Sequence, residues 1–298
     1  MKTTVISAVI SNVQRFSTED GPGIRTTVFF KGCPLRCPWC HNPEGLTSKP
    51  QLILRASRCI GCGECEKVCK IGAPAPGTSD KCLSCGECAC ACPAMARELI
   101  GKHYSPSELL EEVIKDKAFF GDTGGVTASG GEATLYADFL EEFFKLCKRE
   151  NIHIALDTSG FAPTEKFKRL VSLCDLVLFD LKILDERKHK EIIGVSLDLI
   201  IRNFHELEAS GKPYWVRFPL VVGYTDAPDN ISKLSKLLKK RKNLKRVDIL
   251  PFHQLGRNKW RELGMEYTLA DLTPPSEEEI AKIRNLMKEA GLPVEETY

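Results

Sequence analysis

The sequence predicts an α/β fold: six buried parallel strands joined by helices, with a small metal-folded segment interrupting the series after the first strand. Three observations carry this. From residue 101 onward, short apolar β-type runs alternate with helical patterns, as in helices packed on a mostly parallel sheet. One run of the same kind, Arg25–Phe30, stands before the cysteine-rich region. Between Pro50 and about Leu99 the alternation stops, and nine cysteines fall within the 34 residues from Cys59 to Cys92. At this level the pattern fits a (β/α)-type barrel or a doubly wound sheet.

In order, the candidate strands are Arg25–Phe30, Gly125–Ser129, Ile152–Asp157, Leu176–Asp180, Tyr214–Leu220 and Val247–Pro251. They are near-continuous apolar runs, as strands covered on both faces must be. Two helices announce their starts. Ser105-Pro106-Ser107-Glu108 combines an N-cap Ser, Pro at the first helical position and Glu two residues on. Ser276 with Glu279 forms a second capping box before Ile280, Ile283 and Met287, and Gly291 suits the stop.

Bulk composition narrows the class. The 298 residues are 43% hydrophobic, enough to bury a sizeable core, and 42 basic against 40 acidic residues leave a net charge of +2. That balance argues against a nucleic-acid binder working by charge. The first residues turn polar without a signal-peptide cleavage site, and no apolar run reaches membrane-spanning length. The expectation is a soluble cytoplasmic protein with no membrane partner. In a reducing compartment, fourteen cysteines point to metal ligation rather than disulfides. Cys147 and Cys174 stand apart and read as small buried hydrophobes.

The insertion carries one pattern twice. Cys59-x2-Cys62-x2-Cys65-x3-Cys69 is followed by Cys82-x2-Cys85-x2-Cys88-x3-Cys92-Pro93. This is the bacterial ferredoxin spacing, in which the fourth cysteine of each run ligates the other cluster. One [4Fe–4S] cluster then takes Cys59, Cys62, Cys65 and Cys92; the other takes Cys82, Cys85, Cys88 and Cys69. Gly61, Gly63 and Gly86 let the backbone approach closely. Cys90 falls outside the pattern. Paired zinc sites would also use C-x2-C, but rarely three successive short spacings with a trailing Cys-Pro.

Upstream, Cys33-x3-Cys37-x2-Cys40 directly follows the strand Arg25–Phe30. Three ligands for a four-iron cluster leave one iron without a protein ligand. An open position marks a site that binds substrate, by the logic that separates catalytic from structural zinc. The loop stands at the carboxyl end of a strand, where barrel active sites lie.

Here the chain resembles a known family. The triplet is the radical S-adenosylmethionine (SAM) signature. Asp20-Gly21-Pro22-Gly23-Ile24-Arg25-Thr26, Phe30-Lys31-Gly32-Cys33 and Trp39-Cys40-His41-Asn42-Pro43-Glu44 are similar to the glycyl radical enzyme activating enzymes, from about residue 9 to about 260. The cysteine-rich insertion is similar to that of the larger members. The resemblance implies a partial (β/α)6 TIM-like barrel, residues 1–50 and 100–298, with residues 51–99 forming a ferredoxin-like insertion. It implies that the turn Ser129-Gly130-Gly131-Glu132 binds the methionine amine of SAM and that Trp39 lies in the cofactor site. Asp157, Thr158, Asp180 and the carbonyl of Leu178 would hold a monovalent cation, Na+ or K+. Lys182 would lie near SAM and be part of the catalytic centre with the three cysteines. Arg217 and His253 match further pocket positions. The family's Gln after the glycine turn is Tyr136 here, and its frequent Pro is Ala133.

The implied chemistry is reductive cleavage of SAM to a 5′-deoxyadenosyl radical, which takes a hydrogen atom from a glycine Cα in the glycyl radical loop of a partner enzyme. Three [4Fe–4S] clusters, SAM, a flavodoxin or ferredoxin as reductant, and a chain that is monomeric alone complete the expectation. Two alternatives remain at this point: a radical SAM enzyme acting on a small molecule or peptide, and a ferredoxin-like electron carrier with the barrel as scaffold.

Overall fold

Alternating apolar runs become a single curved sheet with one layer of helices, as a computed structural model describing residues 6–71 and 82–295 shows. In chain order the elements are β1 (Ala8–Ser17), β2 (Arg25–Phe30), β3 (Gln51–Leu54), α1 (Glu64–Val68), α2 (Glu87–Cys90), β4 (Arg97–Ile100), β5 (Lys102–Tyr104) and α3 (Pro106–Ile114). They continue with β6 (Gly125–Gly130), α4 (Ala137–Arg149), β7 (His153–Thr158), α5 (Thr164–Leu173), β8 (Leu176–Asp180), α6 (Glu186–Ile193), α7 (Asp198–Ala209), β9 (Tyr214–Leu220) and α8 (Pro228–Leu238). The chain closes with β10 (Leu244–Pro251), α9 (Arg257–Glu262) and α10 (Glu277–Glu289). The sheet order is β10-β9-β8-β7-β6-β2-β1-β5. The six strands from β2 to β10 are mutually parallel and are the six read from the sequence; β1 and β5 add antiparallel edges.

The helices decide between the two architectures. Apolar faces of α3, α4, α5, α7, α8 and α10 join one core with the strand residues Val126, Ile154, Val177 and Val216. All six therefore cover one face, as in a barrel; a doubly wound sheet would split them between two. Each fully buried Phe or Leu there contributes about 1.5–3 kcal/mol. Both capping boxes form, with Ser105 accepting from Glu108 N–H and Ser276 from Glu279 N–H.

Strand residues of the other parity face inward. Near the lower end, Arg25 is fully buried. It donates to Thr127 Oγ1 at 2.6 Å and the Val126 carbonyl at 2.7 Å, and burial lowers its pKa to about 10. In the middle, Ala155, Leu176 and Leu178 pack with Trp215. At the carboxyl end the inward residues are polar: Ser129, Asp157, Asp180 and Arg217. The insertion leaves after β2, and β3 pairs with β4 antiparallel from Gln51↔Ile100 to Leu54↔Arg97. Within it, residues 72–81 lie outside the described set. No described helix is long and apolar enough to cross a membrane.

Candidate functional site

The loop after β2 is tied at its base by Gly32 N–H donating to the Gly45 carbonyl at 2.8 Å, and turned by Cys40 N–H donating to the Cys37 carbonyl at 3.1 Å. This folding brings Cys33, Cys37 and Cys40 to one cleft with about 1020 Å³ of open space. Trp39 and Phe252 form apolar walls. Gly130, Gly131, Asp157, Thr158, Asp180, Lys182 and Arg217 line the same cleft from the carboxyl ends of β6 to β9. Burial pushes all three thiols up, Cys40 to about 12. Their thiolate forms therefore need a cationic partner such as a metal centre.

Two acid–base pairs face the cysteines. Asp157 Oδ2 accepts from Ser129 Oγ at 2.6 Å and from Arg217 at 3.2 Å, while its Oδ1 is buried without a partner. Burial pushes Asp157 up to about 6 against the pull of Arg217. Arg217 also lies 3.6 Å from Asp20 Oδ1, and Asp20 Oδ2 accepts from Ser17 and Thr27. Asp180 accepts from Lys182 at 2.8 Å. Burial opposes the Lys182 charge, but Asp180 and the cysteines hold its pKa above the usual range. Arg217 and Lys182 thus offset the charge of the two carboxylates.

Several expected residues stand elsewhere. Glu132 is 1% exposed, and hydrogen bonds take up its carboxylate. Its oxygens accept from Thr134 Oγ1 (2.6 Å), Thr158 Oγ1 (2.6 Å), Ser159 Oγ (2.5 Å) and Ser159 N–H (2.9 Å). It clamps the ends of β6 and β7 and takes the Thr158 hydroxyl as a donor. Gly130 (φ +113°) and Gly131 are required by the backbone itself: a Cβ on either would meet the Phe30 backbone or the Gly32 and Gly45 carbonyls at 2.2–2.4 Å. Leu178, expected to contribute its carbonyl, turns its side chain into the apolar inner cluster, and that side chain does not line the cleft. His253 does not line it either. It stacks on His41 with ring centroids 3.9 Å apart, and His41 is the histidine at the wall. Burial, then His253, lowers the His41 pKa to about 4, so the ring is neutral.

Sequence reasoning assigned no role to Asp20 or His41. Asp20 and His41 sit inside the motif stretches, so their position was visible; their reach across the sheet was not.

In the insertion, Cys69 borders one cavity with Cys82, Cys85 and Cys88. The fourth cysteine of the first run thus lies beside the second run. Cys92 Sγ accepts from Ala96 N–H at 3.2 Å, and backbone donors led by Arg97 lower its pKa, which favours thiolate.

Residues 27–238 match the radical SAM superfamily model. The chain is 40% identical to the trans-4-hydroxy-L-proline dehydratase activating enzyme of Clostridioides difficile, over 95% of this chain and 97% of that one. It is 37% identical to the pyruvate formate-lyase 2-activating enzyme of Escherichia coli (strain K12), over 96% and 91%. The structure of Streptococcus suis SuiB bound to precursor peptide SuiA shares the fold, with a TM-score of 0.50 and 16% identity over 88% of this chain and 46% of that one.

Proposed function

Because this chain belongs to the glycyl radical enzyme activating enzymes of the radical SAM superfamily, we propose that its cleft binds and splits SAM. Cys33, Cys37 and Cys40 hold one [4Fe–4S] cluster there, and the insertion holds two more. The enzyme is an oxidoreductase whose reaction leaves a radical on a glycine of a partner protein. One observation carries the site: three cysteines on one loop face two carboxylates and two cationic side chains across a single cleft.

A cluster on the three cysteines, with its open iron, would supply the electron that breaks the sulfonium bond. The chain's own residues do the rest. Lys182 and Arg217 present positive charge to the SAM carboxylate. The unpartnered Asp157 Oδ1 suits the ammonium of SAM, or a Na+ or K+ ion shared with Asp180. Backbone at Gly130 and Gly131 lines the amino-acid end, while Trp39 and Phe252 exclude water. Glu132 fixes the turn that holds these groups.

In the insertion, one cluster takes Cys59, Cys62, Cys65 and Cys92, and the other Cys82, Cys85, Cys88 and Cys69. The shared cavity of Cys69 with the second run supports that assignment. Residues 51–99 form a unit folded on these clusters, within a barrel of residues 1–50 and 100–298. The chain works in the cytoplasm, as a monomer until it meets its partner, with a flavodoxin or ferredoxin as reductant. Activating enzymes of a dehydratase and of a formate-lyase stand at 40% and 37% identity, so the partner is a glycyl radical enzyme of open reaction type.

Anaerobic reconstitution tests this. We expect about twelve irons per chain and SAM cleavage with dithionite. The Cys33/Cys37/Cys40 triple Ala variant should keep about eight irons and lose cleavage. Zinc in place of iron and sulfide in anaerobically purified protein would overturn the reading.

A further inference from the structure

α9 lies against the cysteine loop and is linked to the insertion. Trp260 Nε1 donates to the Cys40 carbonyl at 2.9 Å. Lys259 Nζ donates to Asn42 Oδ1 at 2.8 Å and pairs with Glu44 Oε1 at 2.7 Å. From the other side, Lys31 Nζ grips the Glu44 carbonyl and Gln51 Oε1. Glu44, four residues past Cys40, is thus held between two lysines, and Asn42, two residues past it, is held by Lys259. The third contact of the helix goes elsewhere: Glu262 pairs with Arg55 at 3.3 Å, and Arg55 also binds Glu98 on β4 at 2.9 Å. This last link borders a polar cavity that Ser11 and Asn12 of β1 also line. Three positions in one short helix therefore hold the last cysteine of the triplet and the base of the insertion at once.

Energy alone does not account for this. Lys259 is 43% exposed, so its pair with Glu44 contributes little stability. What the contacts supply is geometry. A fixed Cys40 carbonyl limits the rotation of the residue whose sulfur closes the triplet. Partners at one remove from a metal ligand commonly set its retention by 10–100-fold.

We infer that Trp260 and Lys259 are positioning residues for Cys40, and that the Glu262–Arg55 pair ties their position to the insertion. The inference rests on the proposed cluster at Cys33, Cys37 and Cys40. Trp260→Phe removes the donor but keeps a ring against Tyr267, 5.6 Å away. Lys259→Met removes the clamp, Lys259→Arg keeps its charge, and Glu262→Gln breaks the link to the insertion.

The readout is loss of iron to a chelator, followed for the cleft cluster by the electron paramagnetic resonance signal that SAM alters. Trp260→Phe and Lys259→Met should lose that signal about tenfold faster than wild type, with the insertion irons unchanged. Lys259→Arg should stay near wild type, and Glu262→Gln should fall between. Equal rates in all variants would overturn the inference. So would uniform loss from every cluster with a lowered melting temperature, which is what a merely structural helix predicts. A wild-type protein with no SAM-responsive signal would instead remove the cluster assignment beneath it.

Discussion

Asp157 shows how one side chain's surroundings set its chemistry. Its neighbours Arg217 and Ser129 both favour the charged form, yet burial and the nearby Asp180 and Asp20 outweigh them, and its pKa stands at about 6. The sign follows directly. A carboxyl whose folded pKa exceeds its unfolded value adds stability below about pH 4, and that contribution is lost as pH rises through about 6. Wild type should therefore lose on the order of 3 kcal/mol relative to Asp157→Asn between those limits. A bound K+ would pull the pKa down and shrink the difference. Denaturation of both proteins from pH 4 to 7, with and without K+, checks this; parallel pH profiles would sink it. The sequence made Asp157 and Asp180 legible as inward groups at strand ends. It did not reveal that Arg217 and Lys182 would neutralise them, because those pairs join residues 60 and 2 positions apart whose meeting depends on sheet register. The partners of Glu132 were hidden for a related reason. A glycine-rich turn ending in Glu reads as ligand-binding, but the Thr158 and Ser159 hydroxyls that capture it come from the next strand.

At the scale of elements, spacing was the better guide. Each cysteine run places a short helix after a glycine in the left-handed region, Gly63 (φ +73°) before α1 and Gly86 (φ +82°) before α2. The repeat in sequence is thus a repeat in backbone. The spacing rule alone led to expecting Cys69 beside the second run, where it lies. The pairing of β3 with β4 was not: four-residue strands far apart in the chain carry too little pattern, and what brings them together is the loop-and-helix segment between. The crossover has a test that separates it from the simpler arrangement of one run per cluster. Cys69→Ala should remove about four of the twelve irons, and the set that remains should still require Cys59, Cys62 and Cys65. If Cys69→Ala instead destroys the cluster that depends on Cys59, the two runs do not exchange their last ligands.

For the whole molecule, alternation of apolar runs with helices foretold the six parallel strands, and only the single-sided helix layer settled barrel against doubly wound sheet. β1 escaped detection because its burial alternates from Ser11 onward, the mark of a half-exposed antiparallel strand rather than a buried run. The same architecture bears on the proposed electron path. The insertion leaves directly after β2, whose carboxyl end carries the cleft cysteines, and returns through β4 and β5 to the sheet edge. Cys59, Cys62, Cys82 and Cys85 are exposed, and Leu83 between the last two is 79% exposed, so a donor protein can reach the second run without entering the barrel. Two clusters exceed what a docking surface alone requires, which favours electron relay. In a Cys82/Cys85/Cys88 triple Ala variant with the cleft cysteines intact, relay predicts slow reduction by a flavodoxin or ferredoxin. Cleavage of SAM with dithionite should stay normal, because a small reductant needs no relay. Docking predicts the opposite division: normal SAM cleavage with either reductant, but a weak glycyl radical signal on the partner. A normal radical yield with the protein donor would contradict both, and would leave the second cluster as structural metal for a segment too small to build its own core.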